Sequence, residues 1–240
     1  MCIRDSSGVD GSVLYNFDGF LSIELGGSVS GAGDVNGDGF DDLIVGARFE
    51  GFAFSSNGKA RVLSGIDGSI LYDFRGDSNS DFLGGSVSGA GDVNGDGFAD
   101  LIVGATGVDN NGSASGSARI FSGVDGSVLY NFDGDRTRDG FGFSVSGAGD
   151  VNGDGIADFI VGTFSGGLNN QGYARVFVSQ ITPAFILGDC NLDGMVDFAD
   201  IPAFIAILQA GTFLEQADCN QDGVVDFADI PAFIAILQSS

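Results

Sequence analysis

The sequence has no histidine and no tryptophan, and only one lysine, Lys59. It has three prolines and three cysteines in 240 residues. Each shortage narrows the function. Without imidazole there is no Ser-His or Cys-His pair and no histidine base. Glutamate occurs only at Glu24, Glu50 and Glu215, and nothing there marks a paired-carboxylate hydrolase. Nine basic residues stand against 33 acidic ones, for a net charge of -24. Such a chain repels a phosphate backbone, so nucleic acid is not expected as a partner. Cys2, Cys190 and Cys219 are too few for a disulfide scaffold. No apolar run approaches the roughly 18 residues of a membrane helix, so no membrane span is expected. No signal peptide is recognisable.

Glycine is abundant, at 42 residues, and the hydrophobic fraction of 43% is enough for a core. The length allows one or two domains. One phrase organises the chain. "GDVNGDGFDDLIVGA" begins at Gly33, "GDVNGDGFADLIVGA" at Gly91 and "GDVNGDGIADFIVGT" at Gly149. Two shorter relatives follow, "GDCNLDGMVDFAD" at Gly188 and "ADCNQDGVVDFAD" at Ala217. The first three copies are 58 residues apart, a period that suits a four-stranded propeller blade.

Four strands are expected in each unit. Small residues fill 28–34, as an inner strand needs where backbones crowd an axis. Residues 42–47 are continuously apolar, as in a strand covered on both faces. Residues 59–64 and 69–74 alternate around the turn at 66–68. The count of blades is incomplete. One strand of a preceding blade lies at 12–17, two full blades follow, and a third stops after 173–179. Asp5 and Ser6 fall where the next copy has apolar residues, so "MCIRDS" reads as a foreign start and the chain as a C-terminal piece of a longer protein. The alternative is a three-blade ring closed by residues 12–17. Arg61, Arg119 and Arg175 recur at one blade position and read as inter-blade or strand-edge charge pairs, with a ligand-binding ring as the alternative.

The repeated phrase is a loop of oxygen-bearing side chains around a glycine bend. Counting from Asp34, positions 1, 3, 5 and 9 are Asp34, Asn36, Asp38 and Asp42, with the carbonyl of Phe40 at position 7. The second copy places Asp92, Asn94, Asp96, Phe98 and Asp100 there. The third places Asp150, Asn152, Asp154, Ile156 and Asp158. Hard oxygen ligands at this spacing predict calcium. Position 7 is expected to vary freely, because its carbonyl and not its side chain would face the ion.

In these copies position 12 is Val45, Val103 or Val161, inside the apolar strand. In the last two it is an acid. Their sets are Asp189, Asn191, Asp193, Met195 (carbonyl), Asp197 and Asp200, then Asp218, Asn220, Asp222, Val224 (carbonyl), Asp226 and Asp229. Position 12 carries a further carboxylate in EF-hand loops. "IPAFIAILQ" follows each set, with apolar residues at helical spacing. Five Ca²⁺ sites are therefore expected. The predicted fold is mainly β with a small α C-terminal domain: a partial propeller at 1–180, a linker at 181–187 and paired loop-helix segments at 188–240.

Residues 26–47, 84–105 and 142–163 resemble FG-GAP repeats, the blade motif of integrin-α-type propellers. "FGFSVSGAGDVNGDGIADFIVG" at 141–162 carries the likeness most clearly. Residues 188–238 resemble a type I dockerin, which implies a secreted protein held by a cohesin-like partner. Many dockerins place small hydroxyl residues at loop positions 10 and 11. Here these are Phe198 and Ala199, then Phe227 and Ala228, the candidate partner-binding residues. Cys190 and Cys219 sit at position 2 of the two loops, as a disulfide or as free thiols. Together the resemblances imply an extracellular, non-catalytic adhesion or display module, with a protein or glycan ligand on the propeller. The alternative is the end of a polysaccharide-acting enzyme whose catalytic domain lies upstream. A third reading makes the loop-helix pair a calcium-stabilised cap.

Overall fold

The computed structural model describes residues 2–6, 10, 12–18, 24–50, 56–165 and 171–179. The chain divides into two units, Met1–Gln180 and Ile181–Ser240. All sequence expectations for residues 180–240 lie outside the described residues.

The first unit is built of antiparallel sheets. Strands β1 (Cys2–Ser6) and β2 (Val13–Asp18) form a pair. Strands β3 (Ser28–Gly33), β4 (Asp42–Ala47), β5 (Lys59–Leu63) and β6 (Ile70–Arg75) form a four-stranded meander. The next sheet repeats it with β7 (Leu83–Gly91), β8 (Asp100–Ala105), β9 (Ser117–Phe121) and β10 (Val128–Asp133). The last has β11 (Ser144–Gly149), β12 (Asp158–Thr163) and β13 (Tyr173–Phe177). The two complete sheets are four-stranded antiparallel blades of a propeller-like fold, and the first and last sheets have two and three described strands.

Register repeats with the sequence. Val62 faces Tyr72 and Ala60 faces Phe74. Ile3 faces Phe17 and Arg4 faces Asn16. Thus β1 occupies the place of a third blade strand, although Asp5 and Ser6 replace apolar residues there. Among the described residues β13 pairs only with β12, and β2 only with β1. Among the described residues the sheets do not form the closed three-blade ring.

The apolar run of the second strand is explained by burial on both faces. Leu101, Val103 and Ala105 pack toward the first full blade, with Ile44, Val62, Phe74 and Leu83. Ile102 turns the other way, to Ala118, Phe141, Phe159 and Val161. β8 is therefore shared by two cores, as is β4, whose Ile44 and Val45 fall in different clusters, and the blades are held by apolar contact between sheets.

The first strands crowd together at the inner edge. A Cβ on Gly89 would lie 2.9 Å from the Gly31 carbonyl oxygen, and one on Gly147 would lie 2.8 Å from that of Gly89. Small residues in these strands let neighbouring backbones approach. Main-chain N–H groups also reach across: Val87 donates to Ser28 Oγ and Val145 to Ser86 Oγ, each at 3.0 Å. Among the described residues no helix is long and apolar enough to cross a membrane.

Candidate metal centres

The three described acidic loops join β3 to β4, β7 to β8 and β11 to β12. Each folds around its first aspartate. Asp34 Oδ1 accepts from the N–H groups of Gly37 at 2.7 Å and Asp38 at 3.1 Å, and Oδ2 from Gly39 at 2.8 Å. Asn36 Oδ1 accepts from Asp38 N–H at 3.0 Å, and Asp38 Oδ1 from Phe40 N–H at 2.9 Å. Asp92, Asn94 and Asp96 make the same bonds to Gly95, Asp96, Gly97 and Phe98. Asp150, Asn152 and Asp154 repeat them with Gly153, Asp154, Gly155 and Ile156. The sixth-position glycines Gly39, Gly97 and Gly155 have φ of 87°, 88° and 88°, where an L side chain is strained. The loop is thus wound so that the side chains at positions 1, 3 and 5 accept from its own backbone. The three N–H bonds hold the Asp150 carboxyl below its ordinary range, with the bond from Gly155 foremost.

Position 9 has a task that loop spacing does not reveal. Asp42, Asp100 and Asp158 are fully buried. Asp42 Oδ2 accepts from Val35 N–H at 3.0 Å and Oδ1 from Gly65 N–H at 2.9 Å. Asp100 does the same with Val93 and Gly123, and Asp158 with Val151 and Ser179. Each carboxylate therefore ties the acidic loop to the start of the turn after the third strand. Desolvation raises the Asp42 pKa and pushes that of Asp100 up to about 6. The backbone bonds oppose that shift. The negative charges of Asp38 and Asp34, or of Asp96 and Asp92, add to it.

The donor chemistry fits a hard divalent cation. Each loop supplies three carboxylates, one carboxamide and one carbonyl, all oxygen. Oδ2 of Asp34, Asp92 and Asp150 accepts one N–H each and keeps a second lone pair. Among the described residues, however, no three acidic side chains are drawn together at metal-shell spacing. The position 9 carboxylates are spread over two backbone partners instead.

The position 7 side chains differ in their surroundings. Phe40 is 57% exposed, but the ring of Phe98 lies over the preceding acidic loop. A Cβ on Gly37 would meet that ring at 2.6 Å. Consecutive loops are also joined by their main chains. Ala99 N–H donates to Asp34 O at 3.2 Å, and Ala157 N–H to Asp92 O at 3.1 Å. The Phe98 side chain is thus part of the packing between blades.

The recurrent arginines make charge pairs. Arg119 on β9 pairs with Asp77, just after β6 of the preceding blade. Arg175 on β13 pairs with Asp135, just after β10. Arg61 lies 3.8 Å from Asp73 within its own sheet.

Three segments, residues 25–63, 83–121 and 141–177, match the FG-GAP repeat family. Integrin alpha-8 of Mus musculus is 31% identical over 172 residues, covering 66% of this chain and 16% of that protein. Integrin alpha-5 of Xenopus laevis is 38% identical over 91 residues, covering 35% and 9%. Integrin alpha-V of Gallus gallus is 33% identical over 116 residues, covering 45% and 11%. The chain spans no more than 16% of the length of these three relatives. The three matched segments span β3–β5, β7–β9 and β11–β13.

Proposed function

We propose that this chain is a calcium-loaded, non-catalytic display module of an extracellular adhesion protein, tethered through its C-terminal segment. The observation that carries the reading is the threefold loop: one oxygen set, one glycine bend and one hydrogen-bond pattern. Calcium would be held by the side chains of positions 1, 3, 5 and 9 and the carbonyls of Phe40, Phe98 and Ile156. The ion would supply charge neutralisation and fix each hairpin. Burial foremost, and then the charges of Asp96 and Asp92, raise the Asp100 pKa, and a cation relieves the repulsive part. Integrin-named relatives and the absence of histidine favour adhesion over catalysis.

Residues 188–240 are proposed as a dockerin-like anchor. Asp189, Asn191, Asp193, the Met195 carbonyl, Asp197 and Asp200 would hold a fourth ion. Asp218, Asn220, Asp222, the Val224 carbonyl, Asp226 and Asp229 would hold a fifth. Phe198, Ala199, Phe227 and Ala228 would face a cohesin-like partner. Calorimetric titration of the whole chain, with metal content measured independently, tests the reading. Five calcium ions per chain are expected, at dissociation constants as weak as about 10⁻⁴–10⁻³ M. No calcium bound at millimolar concentration contradicts it.

A further inference from the structure

A fourth strand closes the outer edge of each complete blade, and among the described residues the third blade has none. β6 pairs with β5 and β10 with β9, whereas β13 pairs only with β12. An unpaired outer strand offers its row of main-chain donors and acceptors to another strand. The flank of this sheet is open as well. Val151 is 54% exposed and Val176 50%. Their repeat counterparts, Val35 and Val93 for the first and Val62 and Ile120 for the second, are fully buried against the blade that follows. The Arg175 side chain is 41% exposed, against 13% for its counterpart Arg119.

The first sheet is deficient in the complementary way. β1 and β2 stand in the places of third and fourth blade strands, and among the described residues no first or second strand joins them. β2 already sits against the first full blade as a fourth strand does. Phe17 packs with Leu25, Leu43, Val45 and Leu63, and the Tyr15 hydroxyl donates to Ile66 O as that of Tyr72 does to Val124 O. Residues 7–19 are identical to residues 122–134, which carry β10. The strand that β10 pairs with, "SARIF", is matched by β13, "YARVF". β1 is the poorer template, because Asp5 and Ser6 stand where β13 has Val176 and Phe177.

We propose that two copies of this chain close one ring, the β2 of each leaving β1 to pair antiparallel with β13 of the other. The β9–β10 register, carried over, sets Tyr15 opposite the partner's Val176, Asn16 opposite the partner's Arg175 and Phe17 opposite the partner's Ala174. The exchanged β2 brings its own first full blade with it. That blade covers Val151 and Val176 as the second full blade covers Val35 and Val62. Two complete sheets per copy and one completed at each junction make six blades, inside the range of about four to eight that closes a propeller. The pair is twofold symmetric, so both open edges are satisfied and no edge is left for a third copy. A second copy fits better than an unrelated strand, because it carries the strand sequence, the register and the covering blade together. The inference goes beyond the adhesion reading and does not rest on it.

Light scattering and sedimentation of the whole chain over a dilution series test the pairing, and twice the chain mass is expected. Val151→Lys and Val176→Lys change side chains that are half exposed in one copy and covered in the pair. Each should return the mass to that of one chain, with the β signal in circular dichroism unchanged. Disulfide trapping then locates the strands, with Cys2, Cys190 and Cys219 replaced by serine. A chain carrying Asn16→Cys is unfolded, refolded together with a chain carrying Arg175→Cys, and oxidised. The mixed disulfide is expected, with little of either symmetric one. A single-chain mass at every concentration, an open series of larger species, an unchanged pair in folded Val176→Lys, or symmetric disulfides in place of the mixed one would each overturn the proposal.

Discussion

At the scale of single residues, Asp100 and Phe98 sit two apart in the same loop and do different work. The Asp100 carboxylate satisfies Val93 N–H at 2.9 Å and Gly123 N–H at 3.0 Å from full burial. Asp100→Ala leaves both amides without that acceptor, at a cost of about 2–5 kcal/mol. Asp100→Asn keeps one acceptor oxygen and should cost about half as much. Urea unfolding in chelator measures this cost apart from any metal. A loss below 1 kcal/mol for the alanine variant would mean that the staple is not structural. Phe98→Ala should cost about 1–2 kcal/mol by removing a ring packed on the neighbouring loop, while exposed Phe40→Ala stays within about 0.5 kcal/mol. Comparable losses from both would contradict the packing role. These two roles mark where loop spacing stops being informative. Oxygen at positions 1, 3, 5 and 9 is visible in "DVNGDGFAD". The second partner of position 9 lies 23 residues away, at Gly123, and its N–H carries no side-chain signal.

At the scale of strands and sheets, the sequence was legible almost to the residue. Apolar 42–47 is β4, Asp42–Ala47, because a strand covered on both faces leaves no polar alternation to blur its ends. The small residues of 28–34 became β3, beside another inner strand. Contacts between blades were less legible, since they join residues from different repeats. Tyr72 on β6 shows this. Its single hydroxyl proton is shared between Gly123 O at 2.7 Å and Val124 O at 2.9 Å in the next blade, and the Tyr15 hydroxyl donates correspondingly to Ile66 O. Tyr72→Phe should therefore destabilise the first unit by about 0.5–1.5 kcal/mol. A denaturant midpoint unchanged from wild type would show that these inter-blade bonds contribute nothing.

At the scale of the whole molecule, the two units should respond differently to metal. The described blades carry their own apolar cores, whereas the paired loop-helix segments proposed for residues 188–240 would bury too little to be stable alone. Adding calcium to chelated protein should therefore raise helical circular dichroism while the β signal changes little. An unchanged spectrum would contradict a metal-dependent C-terminal unit. Residues 196–209 and 225–238 are identical at all fourteen positions. If both copies can engage one cohesin-like partner, binding should survive Phe198→Ala or Phe227→Ala and fail in the double variant. Loss in either single variant, with fold and calcium content intact, would contradict two-way docking. The central claim remains that the repeated acidic loops are calcium sites. Long-wavelength anomalous diffraction from crystals grown with calcium tests it most directly. The account predicts a calcium peak in each described loop, within ligand distance of Asp34, Asn36, Asp38 and Asp42 and of their counterparts. Loops without peaks at millimolar calcium, their carboxylates bonded only to backbone N–H groups, would contradict it.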